Sequence, residues 1–333
     1  MAPPKPRPLL APRWGVADQP ALGALQSERP RGDGSPVTSL GTHRLWSAIA
    51  RDYFTLTKPS IMLLLLVTTV PAMVLAADGW PGWNLVIATL IGGVLASGGA
   101  GAVNMYIDRD IDAIMLRTRK RPIPRGTVSP RAVAIYGWTM GLASGPWLLL
   151  TVNALSAALA LSAFFFYIGP YSLYLKRRTL HNTVIGGFAG AIPPLIGWAA
   201  VSGSITIEGV LLFAIMFWWQ PPHFWALALG LEEDYRTANV PMMPVVLGER
   251  ETKRQMLLYA AMTWMVTLIF GAVMRLGAIY FVVAMVGGAG FLWCAYRIFR
   301  GQGTEGTRTM FRFSTLYLAA LFASMVADRM LLR

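Results

Sequence analysis

The chain has 333 residues, of which 55% are hydrophobic and only 14% charged, with 12 Trp and 33 Gly. That balance excludes an ordinary soluble globular domain and points to a chain built for lipid. A single cysteine, Cys294 in an apolar run, excludes a disulfide framework and a cysteine-based zinc site, and the net charge of +13 sits in short loops between apolar segments, which argues for membrane topology and against nucleic acid as a partner.

Residues 1–45 scatter eight prolines among Gly, Arg and Ser. Such a stretch cannot bury a core, so a disordered cytoplasmic tail is expected, with neither the apolar segment of a secretory signal nor the acid-poor amphipathic pattern of a transit peptide. Residues 46–333 are then one transmembrane domain.

An apolar helix needs about 20 residues to cross about 30 Å of hydrocarbon. Runs of that kind at 60–77, 84–106, 132–152, 154–175, 183–202, 208–230, 256–275, 277–298 and 311–331 predict an all-α membrane protein of nine transmembrane helices. The connections after the second, fourth, sixth and eighth runs hold eighteen Lys and Arg; those after the first, third, fifth and seventh hold one, Arg275. The positive-inside rule therefore places the N-terminus and the even connections in the cytoplasm and the C-terminus outside, with Arg329 and Arg333 running against the pattern. The small-residue runs GGVLASGGAGAVN (92–104) and GGFAGAIPPLIGW (186–198) predict close helix packing. The pairs Pro193–Pro194 and Pro221–Pro222 break the backbone ladder inside spans, either to line a cavity or as plain kinks.

At the end of the second span, Asn104, Asp108 and Asp112 recur every four residues and share one helical face, while Asp110 points elsewhere. Two carboxylates and an amide oxygen on one face make a hard oxygen site for Mg²⁺, which substrate phosphates complete. Arg117, Arg119, Lys120, Arg121 and Arg125 follow as cations for phosphate oxygens; the plainer reading is a set of salt bridges in a positive loop. A second acidic stretch, LEEDYRTANVPMMPVVLGERE (231–251), follows the sixth span on the same side. Two acid-bearing loops facing each other would clamp a diphosphate between two Mg²⁺, with Lys58, Lys176, Arg177 and Arg178 adding charge at the same mouth.

The NxxxDxxxD element at 104–112, RTRKRPIPRG (117–126), LTKPSIMLLLLVTT (56–69) and EDYRTANVPMMPV (233–245) resemble the UbiA superfamily of intramembrane prenyltransferases. NMYIDRDIDAIMLRTRKRPIPRG, YSLYLKRRTLHNTVIGGFAGAIPPLIGWAAVSG (171–203) and WWQPPHFWALAL (218–229) resemble its haem-farnesylating branch, and the match runs in order over about residues 50 to 330. The resemblance implies a nine-helix bundle with cytoplasmic cap loops and a lateral opening to lipid. It implies transfer of a farnesyl group from farnesyl diphosphate to a vinyl group of haem b, with water added, giving haem O. Carried over residue by residue, it implies Asn104, Asp108 and Asp112 as the first Mg²⁺ site, Asp234 with Glu233 as the second, and Lys58, Arg121, Lys176 and Arg236 as diphosphate contacts. Many members have a second aspartate four residues before the position of Asp234; here that residue is Gly230, so Glu232 or Glu233 would have to substitute.

A farnesyl cation needs a dry, aromatic-walled chamber, and Phe164, Phe165, Phe166, Tyr167, Trp218 and Trp219 are candidates for cation–π contact, core packing being the commoner use of such rings. Among the three histidines, His43 lies in the tail and His181 at a loop, whereas His223 sits inside the sixth span beside Pro221 and Pro222. A polar ring in a span is a functional candidate, and haem iron takes imidazole, so His223 is the expected haem contact; a hydrogen bond to a kink carbonyl is the structural alternative. An aromatic, quinone or chlorophyll precursor is the alternative acceptor, and a transporter or haem-binding membrane protein the alternative class. A transporter would place its ionisable groups near the midplane, and here they gather at one interface. The expected setting is a bacterial plasma membrane, with a downstream haem-modifying enzyme or a second copy of the chain as further partners.

Overall fold

The computed structural model describes residues 39–331. The disorder expected of the tail falls on residues 1–38, outside that range; the helical chain begins before the predicted boundary at 46, with α1 (Ser39–Leu56). There follow α2 (Pro59–Ala76), α3 (Trp83–Ile107), α4 (Arg109–Ile114), α5 (Pro130–Thr151), α6 (Ala154–Phe166), a π-helix (Tyr167–Leu175), α7 (Lys176–Arg178), α8 (Asn182–Ser202), α9 (Ile207–Leu229), α10 (Glu232–Thr237), α11 (Met243–Val273), α12 (Ala278–Arg300) and α13 (Thr307–Leu331). Among the described residues the regular structure is wholly helical.

Among the described residues, eight rods are long and apolar enough to cross a membrane, α6, the π-helix and α7 forming one of them, Ala154–Arg178. The sixth predicted span is α9, a rod of 23 residues whose hydropathy is diluted by Gln220, Pro221, Pro222 and His223. Its Leu212, Met216, Trp219 and Trp225 are almost wholly buried in the main apolar core. The chain is thus an integral membrane protein. Only the seventh span departs clearly in its bounds. α11 starts at Met243, not 256: a short leading turn runs to a kink at Gly248, at φ 80° and ψ 175°, and beyond it a polar turn in which Lys253 pairs with Glu249 at 2.6 Å begins the long rod.

Local chemistry sets the helix starts. Proline stands in the first turn of α2, α5 and α11, where its missing N–H costs nothing. Ser129 accepts from the Ala132 amide at 3.2 Å to cap α5, and Asn153 accepts from Ser156 at 2.8 Å to cap α6. The small-residue run of α3 packs as expected against α5: a Cβ on Gly99 would lie 2.5 Å from the Gly141 nitrogen, so only hydrogen permits this approach. α2, α3, α6, the π-helix, α8 and α9 together line a chamber.

The loops fall on two faces. At the face opposite the acidic loops, Arg329 pairs with Asp78, and Asp328 accepts from the Gly277 and Tyr280 amides, the latter at 3.4 Å. The Arg329 charge that ran against the topology pattern is therefore balanced within the fold.

Candidate active site

Lys58 opens α2 in the left-handed region, at φ 53° and ψ 61°, which costs a non-glycine residue about 1–2 kcal/mol. The strain persists because the backbone here is wedged against α3: a Cβ on Gly101 would lie 3.2 Å from the Leu56 carbonyl oxygen. So held, the Lys58 ammonium donates to Asn104 Oδ1 and reaches Tyr167 Oη at 3.5 Å. Burial, then the neighbouring Arg121 charge, lower its pKa to about 7 against the pull of Asp108.

Asn104 Nδ2 donates to Asp108 Oδ2 at 2.8 Å and to Ser172 Oγ at 2.9 Å. The predicted shared face of Asn104 and Asp108 is therefore realised as a direct bond. α3 ends at Asp108, but the Asp112 amide still donates to the Asp108 carbonyl at 2.7 Å, so the four-residue step carries into α4. Both carboxylates are sealed, with side-chain exposures of 0% and 2%. Lys176 pairs with Asp108 Oδ2, and Arg177 stands 3.8 Å from Oδ1, which is buried without a hydrogen bond. Arg121 Nη1 bonds both Asp112 oxygens, at 2.8 and 2.7 Å. Asp110 lies off this face, mostly exposed, and grips Arg177 with both oxygens at 2.7 Å; that bond holds its pKa down at about 2. Its role is to steady the Arg177 guanidinium beside Asp108.

The second acidic stretch is built differently. Asp234 Oδ1 accepts from the Leu116 amide at 2.7 Å and Oδ2 from the Arg117 amide at 3.4 Å, tying α10 to the first loop. Glu232 and Glu233 both pair with the exposed Arg236, Glu233 at 2.8 Å. The structure thus brings Asp234 to the first loop through backbone hydrogen bonds, and leaves Glu233 and Arg236 on the surface. Among the described residues no three His, Cys, Asp or Glu side chains gather as a metal cage. What the mouth offers a cation is two sealed carboxylates, the Asn104 amide and the unbonded Asp108 Oδ1, a donor set that suits Mg²⁺ finishing its shell with water and phosphate.

Below the mouth lies a chamber of roughly 330 Å³ whose wall includes Lys58, Tyr167, Tyr171, Gln220 and His223. Of the six predicted aromatics, Phe164, Tyr167 and Trp219 line it. Phe165 faces outward, Phe166 packs on Phe188 at 4.8 Å and Trp218 on Tyr259 at 5.4 Å, because one helix face cannot present three consecutive rings. His181 is an exposed residue at the start of α8. His223 projects from α9 into the chamber wall, its Nδ1 2.6 Å from Ser314 Oγ.

Sequence reasoning missed Tyr171, Ser172 and Gln220. The first two belong to the π-helix, whose wider turn sets the Ser172 hydroxyl 2.7 Å from the Tyr167 carbonyl and beneath Asn104; a pattern read at 3.6 residues per turn places them wrongly. Gln220 was legible as a polar residue in a span, the same signal that marked His223. Its amide nitrogen donates to the carbonyls of Gly187, at 2.9 Å, and Met216, at 3.2 Å.

An apolar chamber under a mouth of buried, paired charges marks a helical membrane protein with room for an amphiphile, its anionic head at the interface and its hydrocarbon tail in the bundle. Residues 65–320 match the model of the UbiA prenyltransferase family, and the chain belongs to that family. It is 46% identical over 287 residues to the protoheme IX farnesyltransferase of Chloroflexus aurantiacus, covering 86% of this chain and 49% of that protein. The chain thus spans about half the length of that relative. With the protoheme IX farnesyltransferase of Gloeobacter violaceus it shares 45% identity over 287 residues, 86% of this chain and 94% of that protein. Among solved structures, a UbiA homolog from Archaeoglobus fulgidus bound to DMAPP and Mg²⁺ shares the fold, with a TM-score of 0.59 at 17% identity over 82% of this chain and 99% of that one.

Proposed function

We propose that the chain transfers the farnesyl group of farnesyl diphosphate to a vinyl group of haem b, with addition of water, and that the reaction depends on Mg²⁺. The observation that carries this reading is the single chamber that joins the Lys58 mouth to His223, so that a diphosphate head and a haem-binding imidazole serve one cavity. The protoheme IX farnesyltransferases at 45–46% identity support the same acceptor, and the Mg²⁺ bound by the Archaeoglobus homolog supports the same ion.

Asn104, Asp108 and Asp112 would hold Mg²⁺, which when bound neutralises diphosphate oxygens as the allylic C–O bond lengthens. Lys58, Arg121, Lys176 and Arg177 stabilise the same developing charge; on substrate binding Arg121, Lys176 and Arg177 exchange carboxylate partners, and Lys58 its Asn104 amide oxygen, for phosphate oxygens. Tyr167, Phe164 and Trp219 line the chamber in which the allylic cation forms and help exclude water from it. His223 seats the haem. The loops that carry Asp108 and Asp234 face the cytoplasm of a bacterial cell in this reading, following the Lys and Arg distribution.

Membranes holding the purified chain are incubated with haem b, farnesyl diphosphate and Mg²⁺, and the haem is weighed by mass spectrometry. A gain of farnesyl plus water is expected. Prenylation of a quinone precursor with no change to haem would instead establish the aromatic-acceptor reading.

A further inference from the structure

We infer that Ser314 is a positioning residue that holds His223 as the Nδ1-protonated neutral imidazole, with the Nε2 lone pair turned into the chamber for haem iron. The inference rests on the reading of His223 as the haem contact. Ser314 Oγ has one hydrogen, and the Phe311 carbonyl 2.9 Å away can only accept, so that hydrogen is spent on Phe311. Toward His223 Nδ1, at 2.6 Å, the same oxygen can then only accept. In that arrangement the imidazole proton lies on Nδ1; the reverse tautomer requires the hydroxyl to turn from Phe311 to Nδ1.

The ring is fixed in orientation as well as in tautomer. It lies stacked between Trp219, at 4.2 Å and 19°, and Phe311, at 4.3 Å and 23°. The Trp219 indole is itself held by a 2.9 Å bond from Nε1 to the Ser314 carbonyl. One wholly buried serine thus anchors the imidazole through its hydroxyl and a covering ring through its backbone. With both faces covered and Nδ1 bonded, the edge bearing Nε2 remains; it is not sealed in the core, and the residue lines the chamber. A second bond of this kind on an iron-binding histidine fixes the ring and raises its basicity, and its loss typically costs about 10- to 100-fold in metal affinity.

Two measurements test this. In the haem-free full chain, ¹⁵N NMR of labelled histidine, assigned with His223→Ala, should show Nδ1 as the protonated nitrogen and Nε2 as the bare one; the reverse tautomer overturns the inference without any Ser314 variant. With ferrous haem b and no farnesyl diphosphate, resonance Raman should show an iron–histidine stretching band that His223→Ala removes. Ser314→Ala should move that band to lower frequency and weaken haem binding about tenfold, with Ser314→Thr restoring both. An unmoved band and unchanged affinity in Ser314→Ala sink the role of Ser314 while His223 keeps its own. A wild type that forms haem O without any iron–histidine band overturns this inference and leaves the farnesylation reading standing.

Discussion

Asp108 and Asp234 sit in loops of similar composition on the same face of the bundle, yet Asp108 is sealed against two cations, whereas Asp234 accepts from the backbone amides of Leu116 and Arg117. The neighbours differ in the same sense. Asp112 and Arg121 pair in the interior, while Glu233 and Arg236 pair in water. Screened pairs of the second kind are worth about 0–1 kcal/mol, and pairs of the first kind bind each other far more strongly at the cost of desolvation. Acidic composition alone therefore does not identify the chemistry. In the proposed reaction, burial opposite paired cations gives the first loop a charge store that a metal and a diphosphate would take over, with the second loop bracing the first through Asp234.

The largest effect is expected from Asp108→Ala. Turnover should fall by about a thousandfold, the scale of losing a main transition-state electrostatic group, as read by the mass assay across a Mg²⁺ titration. The same variant strands Lys176 and should lose about 3–5 kcal/mol of stability. Adding Lys176→Met should recover much of the melting temperature and none of the turnover, which separates structural charge balance from chemistry. Asp234→Ala releases two solvent-accessible amides and should cost about 0.5–1.5 kcal/mol of loop docking, lowering kcat/KM by about tenfold. Asp234→Asn keeps an acceptor and should stay within a few-fold of wild type; a collapse as deep as that of Asp108→Ala would erase the contrast and make Asp234 a metal ligand. Glu232→Gln with Glu233→Gln should change turnover less than about threefold, as exposed pairs do.

Much of this was legible in the sequence because its signals are local. Apolar run length located the spans, and the four-residue step from Asn104 to Asp108 to Asp112 located the mouth. His223 stood out as a polar ring in lipid. What stayed hidden depends on distant partners or on irregular backbone. Nothing near Asp234 in the chain says that its carboxylate will meet an amide 118 residues away. Likewise, nothing near His223 names Ser314, which reaches it across 91 residues. The assignment of six aromatics to one chamber failed for Phe165, Phe166 and Trp218 because neighbouring rings on a helix diverge.

The π-helix Tyr167–Leu175 makes the fourth rod intolerant of insertions and deletions. Each residue added or removed there turns everything beyond it by somewhat less than the ~100° step of an α-helix, the π-helical turn being wider. Lys176 would swing away from Asp108 while Phe164, upstream, kept its place, so a one-residue deletion should give a bundle that still inserts but whose mouth has lost the Lys176–Asp108 pair. In most membrane helices length is the tolerant variable and side-chain identity the sensitive one; in this rod the count of residues is itself part of the active site.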